Sequence, residues 1–238
     1  MDRVVVINEI LRKLNGDTYL EIGVETGASI LQINSKKKLG VDPMFPSENV
    51  QRAISKCSLI YFMMTSDKFF DNYSKILDEN KIDVAFIDGL HSYKQSLRDV
   101  ENCLNFLKRN GIIVIHDCNP TSSAMAHPGE SYEKVAKSNP ANWKGKWCGD
   151  VWKTILHLRS TRSDLQVFVL DCDFGIGIIR KEKATDVLDY SIEEIEKMKY
   201  EDLEKNREKF LNLKNEEYFY SFLSALETKD LNIISLNH

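Results

Sequence analysis

Several classes of protein are excluded by what this chain lacks. Its five cysteines (Cys57, Cys103, Cys118, Cys148 and Cys172) are scattered and odd in number, and none forms a Cys-x-x-Cys pair. That argues against a disulfide framework or a cysteine-rich zinc site and predicts reduced thiols in a cytoplasmic protein. No apolar run approaches a membrane span, and the run near the N-terminus, Val4 to Ile7, is too short for a signal peptide. Basic charge is not in excess: 32 Lys and Arg against 36 Asp and Glu leave a net charge of −4, which gives no electrostatic footprint for nucleic acid. No internal repeat is evident. What remains is ordinary globular composition, 42% apolar and 29% charged over 238 residues, enough for one sizeable α/β domain and too short for two full ones.

The informative stretch runs from Asp17 to Ser29, DTYLEIGVETGAS. A β-forming run ends in Glu21, then Gly23 and Gly27, and Ala28-Ser29-Ile30-Leu31 reads as the start of a helix reaching about Ser35. In an open parallel sheet such a turn lies outside the carboxyl end of its strand, where ligands bind. Glycine suits backbone that takes positive φ or approaches a ligand closely. The spacing is Gly-x-x-x-Gly, whereas a dinucleotide fingerprint is Gly-x-Gly-x-x-Gly, and Glu25 stands where the middle glycine would. A carboxylate repels a pyrophosphate, while a cationic ligand turns Glu21 and Glu25 into favourable partners. S-adenosylmethionine, with a sulfonium and an α-amino group, therefore suits a loop of Glu21, Gly23, Glu25, Thr26 and Gly27 better than NAD does. Asp42 follows Glu21 at about the ~20-residue spacing expected of an acid that holds ribose hydroxyls.

The segments YLEIGVETGAS, LGVDP, FIDGLHSY and NGIIVIHDCNP, in that order, resemble the successive motifs of class I (Rossmann-like) S-adenosylmethionine-dependent methyltransferases. Within them the resemblance is closest to the catechol-type and macrocin-type sugar O-methyltransferase branch, and it covers roughly residues 18 to 180. It implies a doubly wound, mostly parallel seven-stranded α/β sheet closed by an antiparallel hairpin. It also implies that Ser66 or Asp67, after the third strand, reaches the adenine amino group; the same residues read equally as a helix N-cap.

Periodicity gives the elements. Helices are expected at 4–15, about 28–35, 48–55, 93–108 and 149–159, and strands at 18–22, 39–41, 58–64, 82–87, 112–115, 166–171 and 175–180. Strands and helices alternate, as in a doubly wound parallel sheet. Residues 119–150 are rich in Pro, Ser, Gly and Asn and include Trp143 and Trp147, which reads as a substrate lid; the alternative is a disordered surface excursion. These tryptophans and Trp152 either stack on an acceptor ring or form the loop's own core. Residues 1–185 are thus expected to form the methyltransferase domain. Residues 186–238 form a helical extension that packs on it or on a second copy of the chain.

Asp88 and Asp117 end consecutive strands. They suit either a hard divalent cation such as Mg²⁺ or the orientation of donor and acceptor. Catechol-type relatives place an Asn immediately after the second Asp; here Cys118 follows, and Asn119 one residue later is the third candidate ligand. His91 is the candidate general base, since imidazole titrates near neutral pH and histidine often has that role in the sugar O-methyltransferases; otherwise it stacks near the adenine or caps a helix. His116, preceding Asp117 on a strand, is expected to face away as a core histidine. The implied reaction is in-line attack of an acceptor oxygen on the donor methyl, accelerated chiefly by positioning. The competing classes are a nicotinamide-dependent oxidoreductase, disfavoured by the glycine spacing, and a non-catalytic scaffold of the same fold.

Overall fold

The computed structural model describes residues 1–234, with side chains described to residue 226. The end of the expected extension, including His238, lies outside the described residues. The aliphatic runs become strands β1 (Thr18–Ile22), β2 (Lys37–Val41), β3 (Ile60–Phe62), β4 (Ile82–Ile87), β5 (Leu107–Ile115), β6 (Leu165–Leu170) and β7 (Ile176–Lys181), with a short β8 (Leu213–Lys214). They form one sheet in the order β3-β2-β1-β4-β5-β7-β6-β8, parallel except for β7, which runs antiparallel to β5 and β6. The expected sheet with its closing hairpin is present, and β8 adds an eighth strand.

Every residue of β1 and β4 is buried because helices cover both faces. Alternation then sorts the side chains. Leu20, Ile22, Ala85, Ile87, Ile113 and Ile115 join one core with α5 (Tyr93–Phe106), α7 (Trp152–Thr161) and α9 (Tyr200–Leu211). Tyr19, Val84, Phe86, Ile112 and Val114 join the other with α1 (Arg3–Leu14) and the start of α10 (Glu216–Ile234). The remaining helices are α2 (Glu48–Ser55), α3 (Ser66–Tyr73), α4 (Lys75–Glu79), α6 (Tyr132–Ser138) and α8 (Ile192–Lys197). Among the described residues no helix is long and apolar enough to cross a membrane.

The structure corrects several local expectations. The segment after Gly27 forms only a 3-10 turn, Ile30–Gln32, because β2 already begins at Lys37 and leaves no room for an α-helix. Strand β3 is three residues long, and the N-cap of α3 is Thr65, whose Oγ1 accepts from Lys68 N; Ser66 and Asp67 lie inside the helix. Helix α5 stops at Phe106, and Leu107 already pairs with Ile82 across an irregularity that takes up Asn110-Gly111. The 119–150 segment is no loose excursion. It contains α6, buries Ala124, Met125, Ala126, Val135 and Trp147, and is tied by Cys148 N and Gly149 N to Met125 O.

Buried Asp83, at the start of β4, holds the start of β1: its Oδ2 accepts from Asp17 N and Thr18 N at 2.9 Å each and from Lys108 Nζ at 2.8 Å. These bonds set the register of the two strands whose far ends carry Glu21 and Asp88. Asp83→Ala orphans two backbone donors and is expected to lower unfolding free energy by about 2–4 kcal/mol in urea denaturation; a loss below about 0.5 kcal/mol would show that the strand starts are held otherwise.

Candidate active site

The loop after β1 is built on Asp42, the residue after β2. Asp42 Oδ2 accepts from Val24 N and Glu25 N at 2.8 Å each, and Oδ1 accepts from Met44 N at 2.7 Å. A carboxylate offers about four acceptor positions, so one stays open to a ligand hydroxyl. Gly23, at φ 88°, is required because a Cβ there would stand 2.1 Å from Asp88 O, and Gly27 takes φ 86°. Glu25 (φ 47°) and Thr26 are exposed at the loop tip, and Ser47 Oγ donates to Thr26 O.

A cleft of about 620 Å³ runs from Gly23 and Glu25 past Asp42 to Ser66 and Asp67, with Leu90 and Trp147 among its apolar walls. Gln95 Nε2 ties its far end together, donating to Ser66 Oγ, Asp67 Oδ1 and Asp99 Oδ1 at 3.1–3.2 Å. Asp99, on the inner face of α5, escaped the sequence reading because a helical acid between apolar neighbours carries no motif. Burial pushes its carboxyl up to about 6, against hydrogen bonds from Ser66 and Gln95.

A second cavity, about 320 Å³, adjoins the cleft at Asp88 and His91, which line both. Here His116 departs from expectation. Strand β5 ends at Ile115 and Asp117 takes φ 61°, so the strand alternation fails and both side chains turn to one centre. His116 Nδ1 lies 3.2 Å from Asp88 Oδ1 and 3.1 Å from Asp117 Oδ2. His91 Nδ1 donates to the Trp147 carbonyl at 2.9 Å, which aims Nε2 at Asp117 Oδ2 (3.2 Å) and Asp88 Oδ1 (3.6 Å).

Burial alone would lower both imidazoles, but the facing carboxylates win: His91 is raised and His116 is pushed up to about 12. Asp88, which burial would raise, is held well below the usual carboxylate range by His116 and His91. Arg3, which lies outside the helix expected at 4–15 and carries no signal in the sequence, completes the balance. Its backbone N donates to Asp173 Oδ2 at 3.0 Å, and its guanidinium lies against the His116 ring and 3.7 Å from Asp88 Oδ2.

Asp88, His116 and Asp117 each place one ligating atom within 4.8 Å of the others. Asn119 is not brought to this group: its Nδ2 donates to Asp171 Oδ1 at 2.9 Å and its Oδ1 accepts from Arg207 Nη1. Trp147 flanks the centre, its ring 4.9 Å from that of His91, whereas Trp152 stacks on Phe210 in the core and Trp143 packs near Tyr132.

Residues 20–118 match the model of a family described as a methyltransferase domain. Among solved structures, a candidate O-methyltransferase from Klebsiella pneumoniae shares the fold at a TM-score of 0.52 and 12% identity, covering 76% of this chain and 80% of that one. The cofactor-bound protein Rv0187 from MTB does so at 0.53 and 12%, covering 77% and 82%. At such identity the likeness is one of fold. No curated protein matches the sequence.

Glu21, 1% exposed at the end of β1, accepts from Tyr19 OH at 2.5 Å, and burial with the nearby Asp88 charge pushes its carboxyl up to about 8. The folded chain therefore keeps this proton where the unfolded chain has lost it, so the contribution of Glu21 to stability falls as pH rises from the unfolded value towards about 8. Glu21→Gln, which cannot titrate, is expected to gain on the parent by about 1.4 kcal/mol per pH unit across that window. Urea midpoints at pH 5.5 and 7.5 measure it; a pH-independent difference would mean that Glu21 titrates normally.

Proposed function

We infer that this chain, which matches a methyltransferase-domain model over residues 20–118, transfers a methyl group from S-adenosylmethionine to a hydroxyl oxygen of a small molecule, a saccharide or similar polyol. The observation that carries this is the meeting of a long cleft with a carboxylate–imidazole centre, with Asp88 and His91 shared by both. In this reading the ribose bonds to the open acceptor position of Asp42, and the adenine lies against Leu90 towards Ser66 and Asp67. The methionine cation comes to rest between Glu21 and Asp88.

The acceptor hydroxyl approaches from the second cavity. Its oxygen attacks the methyl carbon as the carbon–sulfur bond breaks, the sulfonium becomes a neutral thioether, and the hydroxyl proton passes to His91 Nε2. In the free protein Asp88 and Asp117 raise that imidazole's affinity for a proton against the opposing effect of burial. An arriving sulfonium opposes a second positive charge beside it, so donor binding favours the neutral imidazole that catalysis needs.

Asp88, Asp117 and His116 also form a donor set of two carboxylates and one imidazole that suits a divalent cation, with the imidazole favouring an ion such as Mn²⁺ alongside the expected Mg²⁺. Bound there, such an ion supplies positive charge that lowers the pKa of an acceptor hydroxyl. All five cysteines are free, which supports a cytoplasmic setting. Residues 1–185 are taken as the catalytic unit; the segment that follows adds β8 to the sheet and α9 and α10 to its two cores, and exposed Ile192 and Tyr220 on it support self-association.

Calorimetric titration with S-adenosylmethionine and with NAD, each with and without Mg²⁺, is expected to show binding of the methyl donor alone. Asp42→Ala should abolish it, since the loop loses the acceptor for three backbone donors. With an acceptor in hand, His91→Gln should lower kcat by about 10²–10³ while donor affinity stays within about threefold. Failure of the parent protein to bind the donor would sink the assignment, and an unchanged kcat would remove His91 as the base.

A further inference from the structure

A third cavity, about 520 Å³, lies between the 119–125 segment, the 142–146 part of the lid and the β6–β7 turn, and it shares Lys146 and Phe174 with the cavity at the imidazole centre. We propose that it is the acceptor site and that the acceptor is a hydroxylated ring carrying an anionic substituent, a phosphate or a carboxylate. The proposal rests on the methyltransferase reading and goes beyond it in naming the substrate's charge.

The first argument is backbone strain. Asp173 and Phe174 take φ 43° and 62°, a conformation that a bulky side chain adopts only when its surroundings impose it. The surroundings do so: Asn119 N donates to Phe174 O at 2.8 Å, Cys118 N to Gly175 O at 3.0 Å, and Gly175 N to Cys172 O at 2.8 Å. The result is a phenyl ring set edge-on to His116, with centroids 6.0 Å apart, yet still 36% exposed. Lys146 Nζ sits over one side of the ring, and the part that stays exposed offers a platform for the C–H face of a sugar or cyclitol ring.

The second argument is charge. Lys144 and Lys146 line the lid side of the cavity, and among the described residues neither has a carboxylate partner; Lys146 Nζ lies 5.1 Å from the centre of the Phe174 ring. Across from them, Asp171 and Asp173 line the turn side; Asp171 Oδ1 accepts from Asn119 Nδ2, and Asp173 Oδ2 accepts from Arg3 N and lies 3.6 Å from Arg3 Nε and His116 Nε2, which leaves Asp171 Oδ2 and Asp173 Oδ1 for a ligand. The wall beside the reacting centre thus accepts hydroxyl hydrogens, and the lid wall presents two ammonium groups. A neutral apolar acceptor would leave Lys144 and the open carboxylate oxygens of Asp171 and Asp173 without a partner, whereas a hydroxylated ring with an anion on its outer edge satisfies both.

The test is binding of glucose, glucose 6-phosphate and glucuronate to the protein loaded with S-adenosylhomocysteine, measured by calorimetry with donor affinity determined on the same samples. The anionic sugars are expected to bind at least about tenfold more tightly than glucose, and a preference between them identifies phosphate or carboxylate as the substituent. Lys144→Gln combined with Lys146→Gln should remove most of that advantage at an unchanged melting temperature, and Phe174→Ala should weaken all three sugars. Equal affinity for the three, no measurable binding of any, or a preference that survives loss of both lysines overturns the proposal while a protein that binds donor keeps its methyltransferase assignment. A protein that binds no donor loses both.

Discussion

Two carboxylates that repel each other dominate this molecule. Asp88 and Asp117 place oxygens within 4.8 Å, a repulsion on the order of 3 kcal/mol at an effective dielectric near ~20. Parallel strands make the conflict unavoidable, since adjacent β4 and β5 deliver their last residues to the same edge. The chain meets it with cations drawn from three places: His116 beside Asp117, His91 at the start of the next crossover, and Arg3 from the N-terminal helix. Each also serves the fold, so the site is not an addition to a finished scaffold. Such a balance is poised to respond to ligand charge, because a positive donor or metal makes one of the protein's own protons superfluous.

How much of this was readable in the sequence depends on the range of the interaction. Strand cores showed because Ile112 to Ile115 is a continuous apolar run, and Ile82 to Ile87 one broken only by Asp83 at its start, that only a doubly covered sheet can bury. The turn at Gly23 and the acid at Asp42 showed because their spacing along the chain is set by one βαβ unit. Arg3 and Asp173, about 170 residues apart and bonded to each other, left no local signal. His116 was misread for a different reason: the alternation rule holds only while the strand lasts, and the left-handed turn at Asp117 ends it. The helix expected after Gly27 failed because local propensity said nothing of how few residues separate that glycine from β2.

Asp42 shows how one residue serves loop and ligand together. Three of its acceptor positions bind backbone donors of the two loops flanking it, so the loop after β1 is shaped before any ligand arrives. Preorganisation of this kind reduces what binding must spend on ordering. The exposed Glu25 and Thr26 at the tip have no such constraint. The part in donor binding expected of them from spacing would need the tip to fold over a ligand, whereas Gly23 and Asp42 are already held by the fold.

Two strained turns face each other across the ends of β5 and β7. Asp117 leaves β5 in left-handed backbone, and Asp173 and Phe174 enter β7 the same way. The segments bond directly, through Cys118 N to Gly175 O and Asn119 N to Phe174 O, while a Cβ on Gly175 would stand 2.3 Å from Asn119 N. A change in the position of Asp117 therefore cannot leave Phe174 untouched. Asp117 at the imidazole centre and Phe174 in the wall of the third cavity are thus fixed to one short stretch of paired backbone, so the two cavities are set together. For the methyl transfer proposed above, which would gain mainly from bringing two bound molecules into line, that shared anchorage would fix one reactant against the other.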